Sequence, residues 1–384
     1  MLFTLLFLMP FASIAAVLFT PSLPEVAGHF GVSESVAGSS VTTFLFGYAF
    51  GNLPYGPIAK RYGRKVAIWC GLLLTIVGTC VILFAGLAHT WSLFLIGRFI
   101  SALGSSVGMK IAFTIIGDVF EGTKLTKVIS LATLSFAIAP GLAVAAGGFL
   151  TEAFGWESCF YALILYCVML AAFVIRLPET APRLDAAALN IAKIIEGFRC
   201  TFKNYQLVYA SLVLGAVTSI IYLFATVAPF LAIEQLKMDP SLYGLLNCIP
   251  PLGLLAGSFA SHVLSSKRNK LDIIRIGAFC SLATSLIILG FFLFGAFNIV
   301  TLFFPIPFLY FGSSLIFNNS SSIALEQVQD KSNGSAVMGF INMTFATLVV
   351  LFASMVHTPV MMGSVLVALI IFVCFLQYKL RVSL

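Results

Sequence analysis

Two basic residues stand inside one long apolar stretch of the sequence, where a charge has the greatest chemical consequence. Arg98 and Lys110 are twelve positions apart within residues 92–115. A cation in lipid is costly unless it faces a wet cavity, finds a partner or extends its side chain to the interface. All 14 acidic residues lie in loops or at the edges of apolar runs. The partner of a buried cation is therefore a hydroxyl, an amide, a carbonyl or a bound anion.

Arg98 has two interpretations on these grounds. In the first it lines a central cavity and holds an anionic group of a substrate, in bidentate fashion if that group is a carboxylate or phosphate. In the second, backbone carbonyls satisfy the guanidinium and the residue only orients helices. We favour the first. For Lys110, a cavity role and extension of the ammonium to the membrane interface are equally supported.

Polar residues within other apolar runs complete the predicted binding set. Asn52, Tyr222 and Ser105 join Arg98 and Lys110 as predicted substrate contacts, because amides and hydroxyls orient ligands in aqueous clefts. Interhelical hydrogen bonding is the alternative for each. Further polar groups inside apolar runs are Tyr48, Ser101, Asn247, Tyr310 and Asn318. We predict no catalytic residue, metal site or cofactor, because the acids and histidines are dispersed and the eight cysteines include no CxxC pair.

The composition identifies lipid as the main solvent. Of 384 residues, 60% are hydrophobic and 9% charged, whereas a soluble domain carries roughly 25% charged residues. A membrane-spanning helix needs about 20 apolar residues, and the long unbroken runs do not alternate as barrel strands do. We predict an all-α membrane protein with twelve transmembrane helices. The predicted spans are 2–20, 36–58, 66–86, 92–115, 128–150, 158–176, 207–232, 241–263, 273–294, 299–322, 335–356 and 360–378.

The distribution of basic residues predicts the orientation of these spans. If both termini are cytoplasmic, 18 of the 21 Lys and Arg residues fall in cytoplasmic segments, as the positive-inside rule requires. These are Lys60, Arg61, Arg64, Lys65, Lys124, Lys127, Arg176, Arg183, Lys193, Arg199, Lys203, Lys267, Arg268, Lys270, Arg275, Lys331, Lys379 and Arg381. The net charge of +7 thus indicates contact with anionic lipid and not with nucleic acid.

One long connection, residues 177–206, divides the chain into two predicted six-helix halves, 1–176 and 207–384. Its apolar residues recur at helical spacing, which predicts an amphipathic helix on the inner membrane surface. They are Leu184, Ala188, Ile191, Ile195, Phe198 and Phe202. Two such halves are typical of pseudo-symmetric transporters whose site lies between them near mid-membrane. Pro140, Gly147 and Gly148 are predicted hinges in the fifth span, because proline and glycine loosen membrane helices.

Residues 51–65 read GNLPYGPIAKRYGRK. This segment resembles the GQLxxGPLSDRxGRK signature of the major facilitator superfamily, in particular its Bcr/CflA-type drug:proton antiporter branch. Similar motifs recur nearly end to end, including LPET at 177–180 and GWESCF at 155–160. The resemblance implies the major facilitator fold and a cytoplasmic latch with Asp118 as its acidic partner. The implied latch residues are Gly56, Lys60, Arg61, Gly63, Arg64, Lys65 and Asp118.

The sequence departs from the family at positions that bear on energy coupling. Val17 stands where the family's first span has an aspartate, Lys60 replaces the latch aspartate, and Asn52 replaces a glutamine. Antiport in that branch relies on an intramembrane carboxylate, which this sequence lacks. The resemblance still implies a secondary transporter of a small organic solute, working by alternating access in a bacterial inner membrane.

Efflux of drug-like or amphipathic compounds is the leading hypothesis for the transported solute. A coupling proton or a counter-solute is a further candidate partner. The alternatives are uptake or exchange of an anionic metabolite such as a carboxylate siderophore, a transport-dead sensor, and a membrane-embedded enzyme. We predict that the chain is not an enzyme, because no nucleophile, base or metal cluster gathers at one membrane face.

Overall fold

The computed structural model describes residues 1–181, 184–185, 188–326, 328, 331–353, 355 and 358–383. All regular secondary structure in these residues is helical, which confirms the predicted all-α class. Of the residues used above to orient the spans, Arg183 lies outside the described residues, as do the side chains of Lys193, Lys331 and Arg381. The side chain of Ile191 in the linker also lies outside them.

The chain forms nineteen described α-helices, together with a 3₁₀ turn at Thr20–Ser22 and a π-helical turn at Phe230–Gln235. They are α1 (Leu2–Leu8), α2 (Phe11–Val17), α3 (Leu23–Phe30), α4 (Glu34–Gly51), α5 (Tyr55–Tyr62), α6 (Arg64–Leu87), α7 (Trp91–Ser105), α8 (Val107–Val119), α9 (Gly122–Phe154), α10 (Glu157–Ile175), α11 (Ile191–Phe202), α12 (Tyr205–Pro229), α13 (Pro240–Leu246), α14 (Pro250–Ser265), α15 (Lys270–Leu293), α16 (Ile299–Phe303), α17 (Ile306–Glu326), α18 (Lys331–Ala353) and α19 (Pro359–Ser383).

Eleven helical segments among the described residues are long and apolar enough to cross a membrane. The predicted span without such a segment is 36–58, which folds as α4 and α5. Serine, threonine and glycine make α4 less apolar than its neighbours, and most of its residues are buried against other helices. A helix shielded from lipid by neighbouring helices needs fewer apolar side chains, and this explains its composition.

Several predicted spans are broken near proline, which cannot donate a backbone hydrogen bond inside a helix. The first span is longer than predicted, running over Leu2–Phe30, and it is interrupted at Pro10 and around Pro21. The eighth span breaks between α13 and α14, which begins at Pro250. At each break, backbone carbonyls and side chains at mid-span become available for other contacts, which a continuous helix would not allow.

We call α1–α10 the N-terminal helices and α12–α19 the C-terminal helices. The two sets meet along α9, which packs against α13 and α14, and along α4, which packs against α18. The end of the bundle that carries residues 52–65 and α11 is called the linker side. The opposite end, with residues 31–34 and 234–240, is called the distal side. A cavity lies between the two sets.

Candidate substrate-binding site

The cavity has a volume of about 190 Å³ and is lined by both sets of helices. Its N-terminal wall comes from α2, α4, α8 and α9, and its C-terminal wall comes from α12, α14, α17, α18 and the α13–α14 turn. The lining residues include Ser13, Val17, Tyr48, Met109, Phe136, Pro140, Val144, Thr218, Tyr222, Phe224, Ala225, Asn247, Ser258, Tyr310, Ser313, Phe317, Asn318 and Asn342. None of the described residues that line it carries a charge. The site is therefore a neutral, mostly apolar chamber.

Three tyrosines and three asparagines supply most of the polarity. Tyr48, Tyr222 and Tyr310 come from three different helices and are 3%, 6% and 5% exposed. Two of the asparagines are held by their surroundings. The amide of Asn318 donates to Ser258 Oγ at 3.2 Å, and that of Asn247 donates to the Tyr243 carbonyl at 2.8 Å. Asn247 faces the cavity because α13 ends at Leu246, where the chain breaks before Pro250.

Arg98 is fully buried, yet it is not among the residues that line the cavity. Its Nη1 and Nη2 donate to the carbonyls of Ala15 and Ala16 at 3.0 and 3.3 Å, and its Nε lies 3.5 Å from the Ser40 carbonyl oxygen. The guanidinium carbon lies 4.1 and 4.4 Å from two phenylalanine ring centroids, those of Phe19 and Phe44.

This geometry matches the second interpretation of Arg98 and not the favoured one. Ala15 and Ala16 belong to the last turn of α2, which ends at Val17. The last carbonyls of a helix have no intrahelical donor, and a cation there is favourable. Arg98 therefore caps the broken first span and holds it against α4, with ring faces adding cation–π attraction. The sequence favoured the other interpretation because the break in the first span was not predicted.

The remaining predicted substrate contacts divide between the cavity and the linker side. Tyr222 lines the cavity, whereas Asn52, Ser105 and Lys110 do not appear in its wall. Lys110 Nζ donates to the Asn52 carbonyl at 2.8 Å, and the Asn52 amide donates to the Tyr48 carbonyl at 3.0 Å. Ser105 ends α7, where its hydroxyl donates to the Ala102 carbonyl at 3.4 Å. Their roles as substrate contacts stay predictions.

The predicted latch residues gather on the linker side around Arg64. Arg64 Nε pairs with Asp118 Oδ2 at 2.9 Å, and Arg64 Nη1 donates to the Ala59 carbonyl at 2.8 Å. Lys65 Nζ donates to the Ile175 carbonyl at 2.9 Å. The Lys60 carbonyl accepts from the Asp185 N–H at 3.0 Å. Arg61 lies over the ring of Tyr62, and Gly56 is buried within α5.

Glu179 contacts two of the predicted latch residues, although the sequence indicated it only as part of the LPET motif. Its carboxylate accepts from the backbone N–H groups of Arg64 and Lys65 at 2.8 and 3.1 Å. Partial burial opposes ionisation, but these and two further backbone donors lower the pKa of Glu179 overall. Gly63 has φ +98, and a Cβ there would overlap the Glu179 carboxylate. A carboxylate at the first turn of α6 also complements the helix dipole.

The predicted hinge residues occupy points of close approach. Pro140 lines the cavity within α9. A Cβ on Gly147 would overlap the Leu18 carbonyl, and one on Gly148 would overlap the Pro240 carbonyl of α13. The two glycines let α9 contact backbone on both of its flanks. Whether they act as hinges stays a prediction.

The family model described as the Major Facilitator Superfamily matches residues 3–354. This chain therefore belongs to the major facilitator superfamily of transporters. It is 25% identical to multidrug resistance protein D of Escherichia coli over 393 residues, covering 100% of this chain and 96% of that protein.

Other comparisons cover less of the matched protein or have lower sequence identity. The chain is 27% identical to uncharacterized transporters of Rickettsia felis and Rickettsia bellii, and it spans 62% and 65% of their lengths. The structure superimposes on that of a D-xylose-proton symporter with a TM-score of 0.78 at 13% identity, covering 97% of this chain and 96% of the symporter. That likeness shows the fold alone.

Proposed function

We propose that the protein is a secondary active transporter that exports small amphipathic organic molecules by alternating access. The observation that carries the proposal is the neutral cavity of about 190 Å³ between the N-terminal and C-terminal helices. A ligand there contacts both sets, so moving one set against the other would open the cavity to either side in turn. The name of the Escherichia coli relative, which refers to multidrug resistance, supports export of drug-like compounds.

The proposed architecture is two six-helix halves, 1–176 and 207–384, joined by the linker 177–206. Pairing of α9 with α13 and of α18 with α4 supports it, since these are the fifth, eighth, eleventh and second predicted spans. Two repeated halves would relate those pairs by a pseudo-two-fold axis. We place the protein in a bacterial inner membrane with the linker side and both termini in the cytoplasm, because the predicted cytoplasmic segments hold most of the basic residues.

The proposed chemistry is binding without a covalent step, so we do not assign enzymatic activity. Uptake of an anionic metabolite is the weaker alternative, because Arg98 donates to backbone carbonyls and no described lining residue is cationic. A counter-solute or a proton would supply the driving force. Glu34 and Glu234, which line a pocket at the distal side, are candidates for binding the proton.

Counterflow in proteoliposomes tests the proposal directly. Vesicles loaded with an unlabelled amphipathic compound should accumulate its labelled form when they contain the full chain. Ala225→Trp, which fills the cavity wall, should abolish exchange, and Val144→Phe should reduce it. Leu165→Trp is the control, because Leu165 is 69% exposed on the outer surface of the bundle.

The outcomes of this experiment separate cleanly. Abolished exchange in Ala225→Trp and reduced exchange in Val144→Phe, with thermal unfolding near that of the parent and unchanged exchange in Leu165→Trp, support transport through the cavity. Exchange that persists in both cavity variants would remove the cavity from the transport path. Everted membrane vesicles then give direction, since an exporter concentrates its substrate inside them.

A further inference from the structure

Three buried phenols meet at the cavity without a partner. Tyr48, Tyr222 and Tyr310 all line it and are less than a tenth exposed. Within the part of the chain that the structure describes, none of their hydroxyls forms a hydrogen bond. A buried phenol hydroxyl normally finds a partner, because leaving it unsatisfied is unfavourable. The open space beside these three groups is the cavity itself.

Two other tyrosines, the buried Tyr55 and the partly buried Tyr166, show the usual arrangement. The Tyr55 hydroxyl donates to the Leu103 carbonyl at 3.0 Å, and the Tyr166 hydroxyl donates to the Phe7 carbonyl. Both bonds join separate helices. The fold thus supplies carbonyl partners for these two phenols. The Tyr243 hydroxyl is also buried without a partner but does not line the cavity, whereas the three cavity tyrosines border a space that a ligand can occupy.

The electrostatic surroundings favour a ligand without charge. No described lining residue is charged, and the nearby guanidinium of Arg98 already donates to three carbonyls. A charged group moved from water into such a site loses its hydration without gaining a counter-charge. Ser313 and the side-chain oxygen of Asn342 also line the cavity without a partner. Neutral polar contacts are therefore what the wall offers.

The walls also limit the shape and size of the ligand. Phe136, Phe224 and Phe317 join the three tyrosine rings, and aromatic walls pack well against flat apolar groups. Pockets for drug-sized ligands have volumes of about 300–1,000 Å³, so a cavity of about 190 Å³ suits a smaller molecule. A bicyclic aromatic compound has a volume of the right order for this cavity.

We propose, on the basis of the proposed transport function, that the hydroxyls of Tyr48, Tyr222 and Tyr310 form a donor set that selects small uncharged aromatic molecules with hydrogen-bond-accepting oxygens. A phenol hydroxyl both donates and accepts. It donates more strongly than it accepts, because one oxygen lone pair is delocalised into the ring. Carbonyl and lactone oxygens are matching acceptors. Because the three donors sit on α4, α12 and α17, one ligand would join both sets of helices.

Binding of two matched probes to the purified full chain in lipid nanodiscs tests the donor set. The probes are 7-methoxycoumarin, which carries a lactone, and 2-methoxynaphthalene, which has similar shape but no carbonyl. The parent should bind 7-methoxycoumarin at least about tenfold more tightly than 2-methoxynaphthalene. Each of Tyr48→Phe, Tyr222→Phe and Tyr310→Phe should weaken coumarin binding about three- to tenfold, the usual range for one neutral hydrogen bond. Naphthalene binding should not change.

A control variant and a charged probe complete the design. Tyr161→Phe removes a phenol that is 61% exposed away from the cavity, and it should leave both probes unaffected. Coumarin-3-carboxylate, an anion of related shape, should bind more weakly than 7-methoxycoumarin. A parent that fails to bind the coumarin, or that prefers the anion, overturns the proposal. So does an equal loss for both probes in the Tyr→Phe variants, which indicates a packing role.

Transport measurements distinguish this proposal from the one on which it depends. Selective coumarin binding without counterflow would contradict the transport function and leave the donor set intact. Counterflow of both probes at equal rates, unchanged in the three Tyr→Phe variants, would support transport and overturn the donor set.

Discussion

The N-terminal and C-terminal helices meet at two ends, and the contacts at those ends differ in chemistry. On the distal side, Gly148 of α9 lies against the Pro240 carbonyl, and Glu152 Oε2 accepts from the Ser241 N–H at 3.1 Å. On the linker side, Asn52 packs against Gly339, and the rings of Phe50 and Phe340 meet edge to face at 5.5 Å.

The distal side also brings together two carboxyl groups from opposite sets. Glu34, at the start of α4, and Glu234 line one open pocket and are hydrogen-bonded to each other. Two carboxyl groups can hydrogen-bond to each other only when one holds a proton. The distal contact therefore depends on backbone fit and on protonation, whereas the linker-side contact uses rings and an amide that do not titrate. The two ends should respond differently to steric change and to pH.

The largest expected effect comes from Arg98, which fixes the first span near the distal contact. Replacing it by methionine keeps much of the apolar stem but leaves the Ala15 and Ala16 carbonyls without donors. Each buried unsatisfied group costs about 1–3 kcal/mol, so thermal unfolding should occur at a markedly lower temperature. Arg98→Lys, which keeps the charge but not the forked donors, should be intermediate.

Ligand binding decides whether Arg98 has the role that the sequence first suggested. If Arg98→Met keeps the parental thermal stability but no longer binds anionic compounds, the capping role is contradicted and the anion-binding role is supported. Lys203→Met, a change at an exposed basic residue in the turn after α11, is the control for a general effect of removing positive charge.

A matched pair of glycines tests the steric difference between the two ends. A Cβ at Gly148 would overlap backbone, whereas a Cβ at Gly339 would lie 3.4 Å from the Asn52 side chain. Gly148→Ala should disturb the distal contact by about 1–3 kcal/mol, the usual cost of overpacking, and Gly339→Ala should have little effect. Labelling of Ser35→Cys by a water-soluble maleimide, in a background without native cysteines, measures the distal contact because Ser35 lines the distal pocket.

Equal labelling rates in the two alanine variants would contradict the predicted steric difference between the two ends. The labelling rate should rise in Gly148→Ala and stay at the parental value in Gly339→Ala, because only the first change forces α9 away from α13.

The pH dependence of the same labelling tests the carboxyl pair. Partial burial and the hydrogen bond with Glu234 raise the pKa of Glu34 to about 7, above the ordinary value of about 4.3. The closed distal side therefore binds more protons than the open one between these values, so acid stabilises the contact and it weakens as pH rises through 7. Because the reactive thiolate fraction itself rises with pH, each rate is divided by that of a fully exposed cysteine at the same pH. The normalised rate of Ser35→Cys labelling should be severalfold faster at pH 8 than at pH 6.

Glu34→Gln is the informative variant, because a glutamine amide can donate to Glu234 as the protonated carboxyl does. Its normalised labelling rate should be low at both pH values. Glu157→Gln, on α10 within the N-terminal set, should keep the parental pH dependence. Unaltered pH dependence in Glu34→Gln would exclude the pair as its source.

The sequence predicted the fold more completely than the site, and particular residues show why. Long apolar runs and the segment 51–65 predict the helices and the place of Arg64 beside Asp118, because hydropathy and a local motif determine both. Five of the eight polar mid-span residues considered, including Tyr48, Tyr222 and Asn247, line the cavity. Arg98, which was predicted to line the cavity, is absent from its wall, since its carbonyl partners exist only where α2 breaks.

Long-range contacts explain the residues that sequence reasoning missed. Ser313 and Asn342 carried only the weak signal of polar groups inside apolar runs, which interhelical hydrogen bonds also explain. Glu34 and Glu234 are 200 positions apart, and no local pattern relates them. Glu179 occurs in the LPET motif, but its contact with the first turn of α6 depends on how residues 177–181 fold back.

The smallest effect is expected at the linker side, where Phe340 contacts Phe50 and Phe202. Phe340→Leu keeps apolar volume but removes both edge-to-face pairs, each worth about 0.5–1.5 kcal/mol. The linker side should open more readily, and by the same factor at pH 6 and pH 8, because no titratable group takes part in these ring contacts. The maleimide accessibility of Ser335→Cys measures this opening of the linker side. A pH-dependent change there would mean that protonation governs both ends, and the contrast between them would not hold.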